Sequence, residues 1–161
     1  MGKTEIRVAT AGDKELLKNL INMYQNELGL YCPEYQDVDD NGYFDNHFTD
    51  VYFSGDKSIM PLVITWDGRN VGLAVISIPP YVAEGCDFCL QEIFIVGYYR
   101  GKGVAMEALQ EIFKLFKGRY CTASMNNNGR ALAFLRKAFA PYGVEESPFG
   151  ERFTLFTASV E

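Results

Sequence analysis

Residues 90–117, LQEIFIVGYYRGKGVAMEALQEIFKLFK, decide how the rest of the chain is read. Ile93, Phe94, Ile95 and Val96 form an unbroken apolar, β-prone run, the pattern of a central strand covered on both faces. Gly97, Tyr98 and Tyr99 follow, and then Arg100-Gly101-Lys102-Gly103-Val104-Ala105. From Val104 onward, Leu109, Ile112, Phe113 and Phe116 recur at roughly helical spacing, with Glu107 and Glu111 on other faces. The stretch reads as strand, glycine turn and helix N-terminus. The first amides of a helix have no intrahelical acceptor, glycines let a ligand approach the backbone, and the helix dipole favours negative charge. The pattern predicts a phosphate site.

Spacing chooses among phosphate loops. A Walker A loop needs four residues between its first glycine and Gly-Lys, followed by Ser or Thr; here three residues separate Gly97 from Gly101-Lys102, and Gly103 follows. A dinucleotide fingerprint needs a third glycine where Met106 stands and an acidic residue near the end of the next strand, which runs instead into Ser124 and Met125. The pattern that fits is Arg/Gln-x-x-Gly-x-Gly/Ala, filled by Arg100, Gly103 and Ala105. It resembles motif A of the GNAT acyltransferase superfamily, whose turn amides hold the pyrophosphate of acetyl-CoA. Farther on, the short strand RYCTAS is followed by Asn128, Ala131 and Phe134. These are similar to the family's second motif, Asn-x-x-Ala-x-x-Leu/Phe-Tyr, which opens a helix flanking the pantetheine. The two motifs together cover Leu90 to about Phe139.

The resemblance implies an α/β (α+β) fold: a single domain over residues 1–161, with a central, mixed but mostly antiparallel twisted sheet of about seven strands and helices on both faces. It implies acetyl-CoA as cofactor. Main-chain groups of Phe94, Ile95 and Val96 would bind pantetheine. The amides from Gly101 through Lys102, Gly103 and Val104 to Ala105 would hold pyrophosphate, with Arg100 and Lys102 adding positive charge at the rim. Asn128, Ala131 and Phe134 would line the other wall. Family members often carry an acidic group on the central strand, and Glu92 is the candidate general base. Alternation puts it with Phe94, opposite Gln91, Ile93 and Ile95. A carboxylate in a strand covered on both faces must be paired or wet, so the competing reading is a structural carboxylate held by an Arg or Lys.

The chain departs from the family pattern at Leu135, where a proton-donating tyrosine is common. Tyr142 is the candidate general acid in its place, with Tyr98 or solvent as alternatives. Two functions follow. One is an N-acetyltransferase that moves an acetyl group from acetyl-CoA to a primary amine of a small cationic molecule or peptide by direct attack. The other is an acyl-CoA-binding sensor module with little turnover. The resemblance also allows a homodimer.

Composition narrows the partners. The 161 residues are 48% apolar and 14% aromatic, which excludes a disordered chain and is enough for one sizeable core. A net charge of −6 with no continuous basic face argues against nucleic acid. No apolar run is long enough to cross a membrane, and MGKTEIRVAT has no apolar signal core; the expectation is a soluble, cytoplasmic protein with no membrane partner. Cys86-x-x-Cys89 stands with isolated Cys32 and Cys121 and a single histidine, His47, so the cysteines read as ordinary thiols and no metal site is expected.

The remaining elements surround the central stretch. Glu5 to Ala9 reads as a first strand, followed by a helix with Leu16, Leu17, Leu20, Ile21, Tyr24 and Leu28 on one face, capped by Thr10 or Asp13 and stopped at Gly29. Residues 27–50 carry Glu27, Glu34, Asp37, Asp39, Asp40, Asp45 and Asp50 among tyrosines and phenylalanines, without Lys or Arg. They read either as a solvated loop with a short helix near Phe44 to Phe53 or as an electronegative mouth for a cationic acceptor. Asp67-Gly68-Arg69-Asn70 joins two β-rich runs as a hairpin, and Glu145 to Pro148 pairs with Arg152 to Thr157 as the last strands.

Overall fold

The apolar runs assemble as strands of one sheet. In the computed structural model, which describes residues 2–44 and 47–161, these are β1 (Thr4–Val8), β2 (Ile59–Trp66), β3 (Arg69–Ser77), β4 (Phe88–Ile95), β5 (Gly118–Met125), β6 (Glu145–Phe149) and β7 (Phe153–Val160). Their order is β1-β2-β3-β4-β5-β7-β6, and every neighbouring pair is antiparallel except β4 with β5. The expected seven-stranded mixed sheet is present. One face is covered by α1 (Lys14–Leu28) and the short α2 (His47–Tyr52), the other by α3 (Val104–Leu115) and α4 (Gly129–Phe139).

Each helix buries an apolar stripe. Leu17, Leu20 and Ile21 of α1 pack on Val63, Leu73, Val75 and Phe94. Val104, Leu109, Ile112 and Phe113 of α3 join Leu132, Leu135 and Phe139 of α4 over the opposite face. Asp13 terminates the turn before α1 by accepting the Thr10 amide at 2.8 Å. Gly29 caps the far end in right-handed geometry (φ −58°), so its glycine answers to space rather than to φ: a Cβ there would overlap the Tyr35 carbonyl oxygen.

The β4 register decides which side chains reach which face. Val75 faces Glu92 and Ile76 faces Leu90, so Gln91 is the extra residue of a bulge. Its amide is anchored at 2.7 Å to Ser77 Oγ and 2.9 Å to the Tyr81 carbonyl. The bulge sends Leu90 into the α3–α4 core while Glu92 and Phe94 face α1; unbroken alternation would have put Leu90 beside Glu92. Gly72 lets β3 approach closely here, since a Cβ would overlap the Phe94 carbonyl.

Elsewhere the turns are tighter than the sequence signals. The β2–β3 loop is only Asp67 (φ 49°) and Gly68 (φ 74°), because Arg69 and Asn70 already pair with Trp66 and Thr65. The last hairpin forms as expected, but β7 continues to Val160 and inserts between β5 and β6.

Candidate active site

The two parallel strands are joined over a short length. Their register covers Phe88 with Tyr120 and Cys89 with Cys121. Beyond it β4 stays with β3 as far as Ile95, and β5 stays with β7 as far as Met125, so a wedge opens between them. At its apex Thr122 Oγ1 donates to the Leu90 carbonyl at 2.8 Å, in the place of a ladder amide. The Val96 amide donates to Val71 at 2.8 Å. Alternation therefore turns the main-chain groups of Ile95 and Ile93 toward the wedge, and those of Phe94 toward β3. Of the three residues expected to offer their backbone to pantetheine, Ile95 faces the opening. Period-two alternation could have named Ile93 in place of its neighbours.

The wedge ends at the glycine turn. Gly101 (φ 71°) and Gly103 (φ 85°) are both left-handed, and α3 starts at Val104 with no side chain capping it. The amides of Val104, Ala105 and Met106 have no intrahelical acceptor, and with those of Gly101 to Gly103 they form a backbone nest suited to an anion. Lys102 is exposed beside it, its ammonium 5.0 Å from the Tyr98 ring centroid.

Arg100 differs from the expected rim charge. Its Nε donates to the Ile95 carbonyl at 2.6 Å and its Nη2 lies 2.7 Å from Glu27 Oε1. The guanidinium, 5.2 Å from the Phe94 ring centroid, thus ties the end of β4 to α1. On the second wall, Asn128 Oδ1 accepts the Ala131 amide at 3.1 Å and caps α4, with Ala131 and Phe134 half-buried. Leu135 is buried in the core.

Glu92 is half-buried on the α1 face and joins no ion pair among the described residues. Burial raises its carboxyl to about 7, against the opposing effect of a hydrogen bond from the Tyr24 hydroxyl. Burial, then the Glu92 charge, push the Tyr24 phenol upward, and the same two causes act on Tyr52. Tyr24 also packs 5.5 Å from the Phe94 ring. The Arg or Lys that a purely structural carboxylate would need is not among the described residues around it. Tyr142, expected as its acid partner, lies elsewhere: its ring packs edge-on at 5.2 Å against Phe113 in the α3–α4 layer, across the sheet from Glu92. Tyr142 is half-buried against that layer, so the two side chains do not share a site.

Beside the end of β4 lies an open pocket of about 460 Å³. Asn22, Met23, Asn26 and Glu27 of α1 form one wall, Val38, Gly42 and Phe44 a second, and Phe94, Val96 and Gly97 the floor. Asn22 fixes the loop by donating to the Gly42 carbonyl at 3.2 Å and accepting the Phe44 amide at 2.9 Å.

The acidic stretch is matched by partners in part. Glu34 pairs with Arg152 at 3.0 Å, which holds its carboxyl down at about 2. Asp50 lies 3.6 Å from Lys14, and Asp39 Oδ1 accepts the Asn41 and Tyr43 amides, each at 2.9 Å. With Glu27 paired to Arg100, three of the acidic side chains have a cationic partner, while Asp37, Asp39 and Asp40 stand exposed on the loop; Asp45 lies outside the described residues. Asn127 bonds the Tyr31 carbonyl at 3.1 Å, so the loop is tied to the β5–α4 turn.

Sequence reasoning missed Tyr24, Thr122 and the Glu27–Arg100 pair. Tyr24 carried a signal, because a tyrosine on an apolar helix face needs a partner for its hydroxyl. Among the described residues no group of three or more His, Cys, Asp or Glu is placed to hold a metal ion, and no helix is long and apolar enough to cross a membrane.

Comparisons follow the same lines. A model of the Acetyltransferase (GNAT) family matches residues 17–140. An acetyltransferase from Thermus thermophilus superposes with a TM-score of 0.75 at 17% identity, covering 98% of this chain and 97% of that one. The PaiA N-acetyltransferase of Thermoplasma acidophilum, solved with coenzyme A, gives 0.68 at 15% identity over 98% and 99%. The RimL ribosomal L7/L12 alpha-N-protein acetyltransferase, also with coenzyme A, gives 0.67 at 14% over 98% and 94%. No curated protein sequence is matched.

Proposed function

Because the chain belongs to the GNAT acetyltransferase family, we propose that it transfers an acetyl group from acetyl-CoA to a primary amine, cationic in solution, of a small molecule or peptide, by direct attack. The observation that carries this reading is the β4–β5 wedge, which runs into an uncapped helix N-terminus on one side and meets the Glu92 face of β4 on the other. Two left-handed glycines and a helix start without a side-chain cap fit a pyrophosphate. Structural relatives solved with coenzyme A support the same cofactor.

Acetyl-CoA would supply an activated thioester. The chain's own groups do the rest. The amides from Gly101 to Ala105 would hold the pyrophosphate, with Lys102 adding charge at the rim. The backbone of Ile93 and Ile95 would align the pantetheine, and Asn128 would fix the start of α4 along the other wall. Glu92, half-ionised near neutrality, would take a proton from the acceptor ammonium directly or through water. Arg100 would act as a positioning residue that joins the acceptor wall to the cofactor turn. No tyrosine follows Phe134, and Tyr142 lies in the opposite layer, so the departing thiolate would draw its proton from solvent.

Calorimetric titration with acetyl-CoA, followed by amine pools with free thiol monitored, tests the reading. Binding followed by thiol release and an acetylated product is the expected result. Binding with no release for any amine would favour the sensor alternative, and absence of binding would sink the assignment of the glycine turn.

A further inference from the structure

Five of the ten described residues that line the pocket at the end of β4 are apolar and one, Glu27, is ionisable, and we infer that this pocket takes the acceptor and that its ligand is a primary amine bearing one compact aliphatic or aromatic group, recognised by Met23, Val38 and Phe44. This narrows the acetyltransferase reading above and rests on it.

Charge comes first. Glu27 is the one ionisable side chain among the described lining residues, and its carboxylate already lies 2.7 Å from the Arg100 guanidinium. Of the neighbouring acids, Glu34 is paired with Arg152, Asp50 lies near Lys14 and Asp39 accepts two loop amides; neither these nor Asp37 and Asp40 are among the described residues that line the pocket. A polyamine or aminoglycoside could set one ammonium against the Glu27 oxygen that Arg100 leaves free, and would then find no second carboxylate among the described lining residues. One ammonium can approach the Asn26 and Glu27 edge; an extended polycation has nowhere to place its remaining charges.

Apolar surface comes second. Met23 and Val38 are 44% and 52% exposed, while Phe44 and Phe94 lie beneath them at 9% and 4%. Large apolar side chains scattered singly over a surface call for no explanation, but these converge on one concavity with Val96. Asn22 spends one donor and one acceptor of its carboxamide on the loop backbone at Gly42 and Phe44, and Asn26 and Glu27 supply polar groups beside it. A volume of about 460 Å³ leaves ample room for an aliphatic or aromatic group of side-chain size.

The test compares kcat/KM for leucinamide, phenylalaninamide, glycinamide and spermidine at saturating acetyl-CoA, by thiol release and product mass. Leucinamide and phenylalaninamide are expected to exceed both glycinamide and spermidine by about tenfold or more, since a buried apolar group is worth at least that factor. Val38→Asp, an exposed loop substitution, is expected to collapse the leucinamide-to-glycinamide ratio toward unity through KM, with acetyl-CoA affinity retained as the check on folding. Spermidine at or above leucinamide, or an unchanged ratio in Val38→Asp, would overturn the inference while leaving the enzyme an acetyltransferase. Acetyl-CoA binding with no thiol release from any of the amines would overturn the acetyltransferase reading, and this inference with it.

Discussion

The turn from Gly97 to Ala105 and the pocket between α1 and the 30–44 loop meet at the end of β4, yet they are made of different material. The turn presents backbone: two left-handed glycines, an uncapped helix start and strand groups exposed by the wedge. The pocket presents side chains drawn from three separate stretches of sequence, held by Asn22, Arg100 and Arg152. A backbone site depends on what the chain can fold into and is indifferent to most side chains around it. A side-chain site depends on each identity. Substitutions should therefore separate the two halves cleanly, one changing cofactor affinity and the other changing acceptor use.

The largest expected effect lies on the boundary between them. Glu92→Gln should lower kcat by roughly 10²–10⁴, the usual range for a lost general base, with acetyl-CoA affinity intact. In the parent enzyme the rate should rise with pH through about 7, as Glu92 loses its proton, and the variant should lose that limb. Pre-steady-state acetyl transfer across pH checks both; an unchanged rate and profile would remove Glu92 from the chemistry. Stability should move the other way. The carboxyl has a native value of about 7 against 4.5 unfolded, so the native state binds more protons between those values and loses stability as pH rises through them. Above about pH 7 the penalty is complete, on the order of 3 kcal/mol at most, and Glu92→Gln should resist urea better than the parent there.

Next is the backbone half. Gly101→Val with Gly103→Val forces two side chains into left-handed geometry, at about 1–2 kcal/mol each. No neighbouring atom lies within 4 Å of a Cβ at Gly101, and only the end of Glu107 does so at Gly103, so the cost is conformational. Acetyl-CoA affinity should fall about a hundredfold, with acceptor KM scarcely changed at saturating cofactor. Calorimetry reads the first and initial rates the second. Equal loss on both substrates would show the halves to be one mechanical unit.

A smaller effect is expected at Tyr24→Phe. Its hydroxyl favours the charged form of Glu92, so its removal should shift the pH–rate limb above 7, several-fold at neutral pH and with the rates converging about two pH units higher. A merely structural role for Tyr24 would scale the profile without moving it.

The same contrast accounts for what could be read from the chain before its structure. The strand–turn–helix from Ile93 to Phe116 was legible because an unbroken apolar run, paired glycines and a helical repeat are each local and need no distant partner. Asn128 was legible as the start of the next helix through its motif, and its role as the cap came only with the bond to the Ala131 amide. Three things were not. The Gln91 bulge depends on Ser77 and Tyr81, more than nine residues away in the chain. Arg100 read as a rim charge because its partner Glu27 is 73 residues distant. Tyr142 read as a candidate acid because a sequence says which groups can donate a proton, but not which side of a sheet they lie on. The acidic loop shows the same limit: its carboxylates are visible in one stretch, and the cations that pair Asp50, Glu27 and Glu34 come from Lys14, Arg100 and Arg152.

Asn22 offers the finest probe of the side-chain half. Its carboxamide is the hinge pin of the acceptor wall, joining the middle of α1 to Gly42 and Phe44. Asn22→Ala removes two hydrogen bonds at a partly exposed site, worth about 1 kcal/mol each at most. Phe44 would keep its buried contacts, so the loop should loosen rather than detach. Acceptor KM is expected to rise about five- to tenfold, with acetyl-CoA affinity and the pH limb of Glu92 unchanged. Asn22→Asp should recover only the contact to the Phe44 amide, since a carboxylate accepts but cannot donate to the Gly42 carbonyl. Its KM should fall between the two. If Asn22→Ala weakened acetyl-CoA as strongly as the acceptor, the loop would be bracing the cofactor turn through β4, and the two halves would share a support that their separate chemistry does not require.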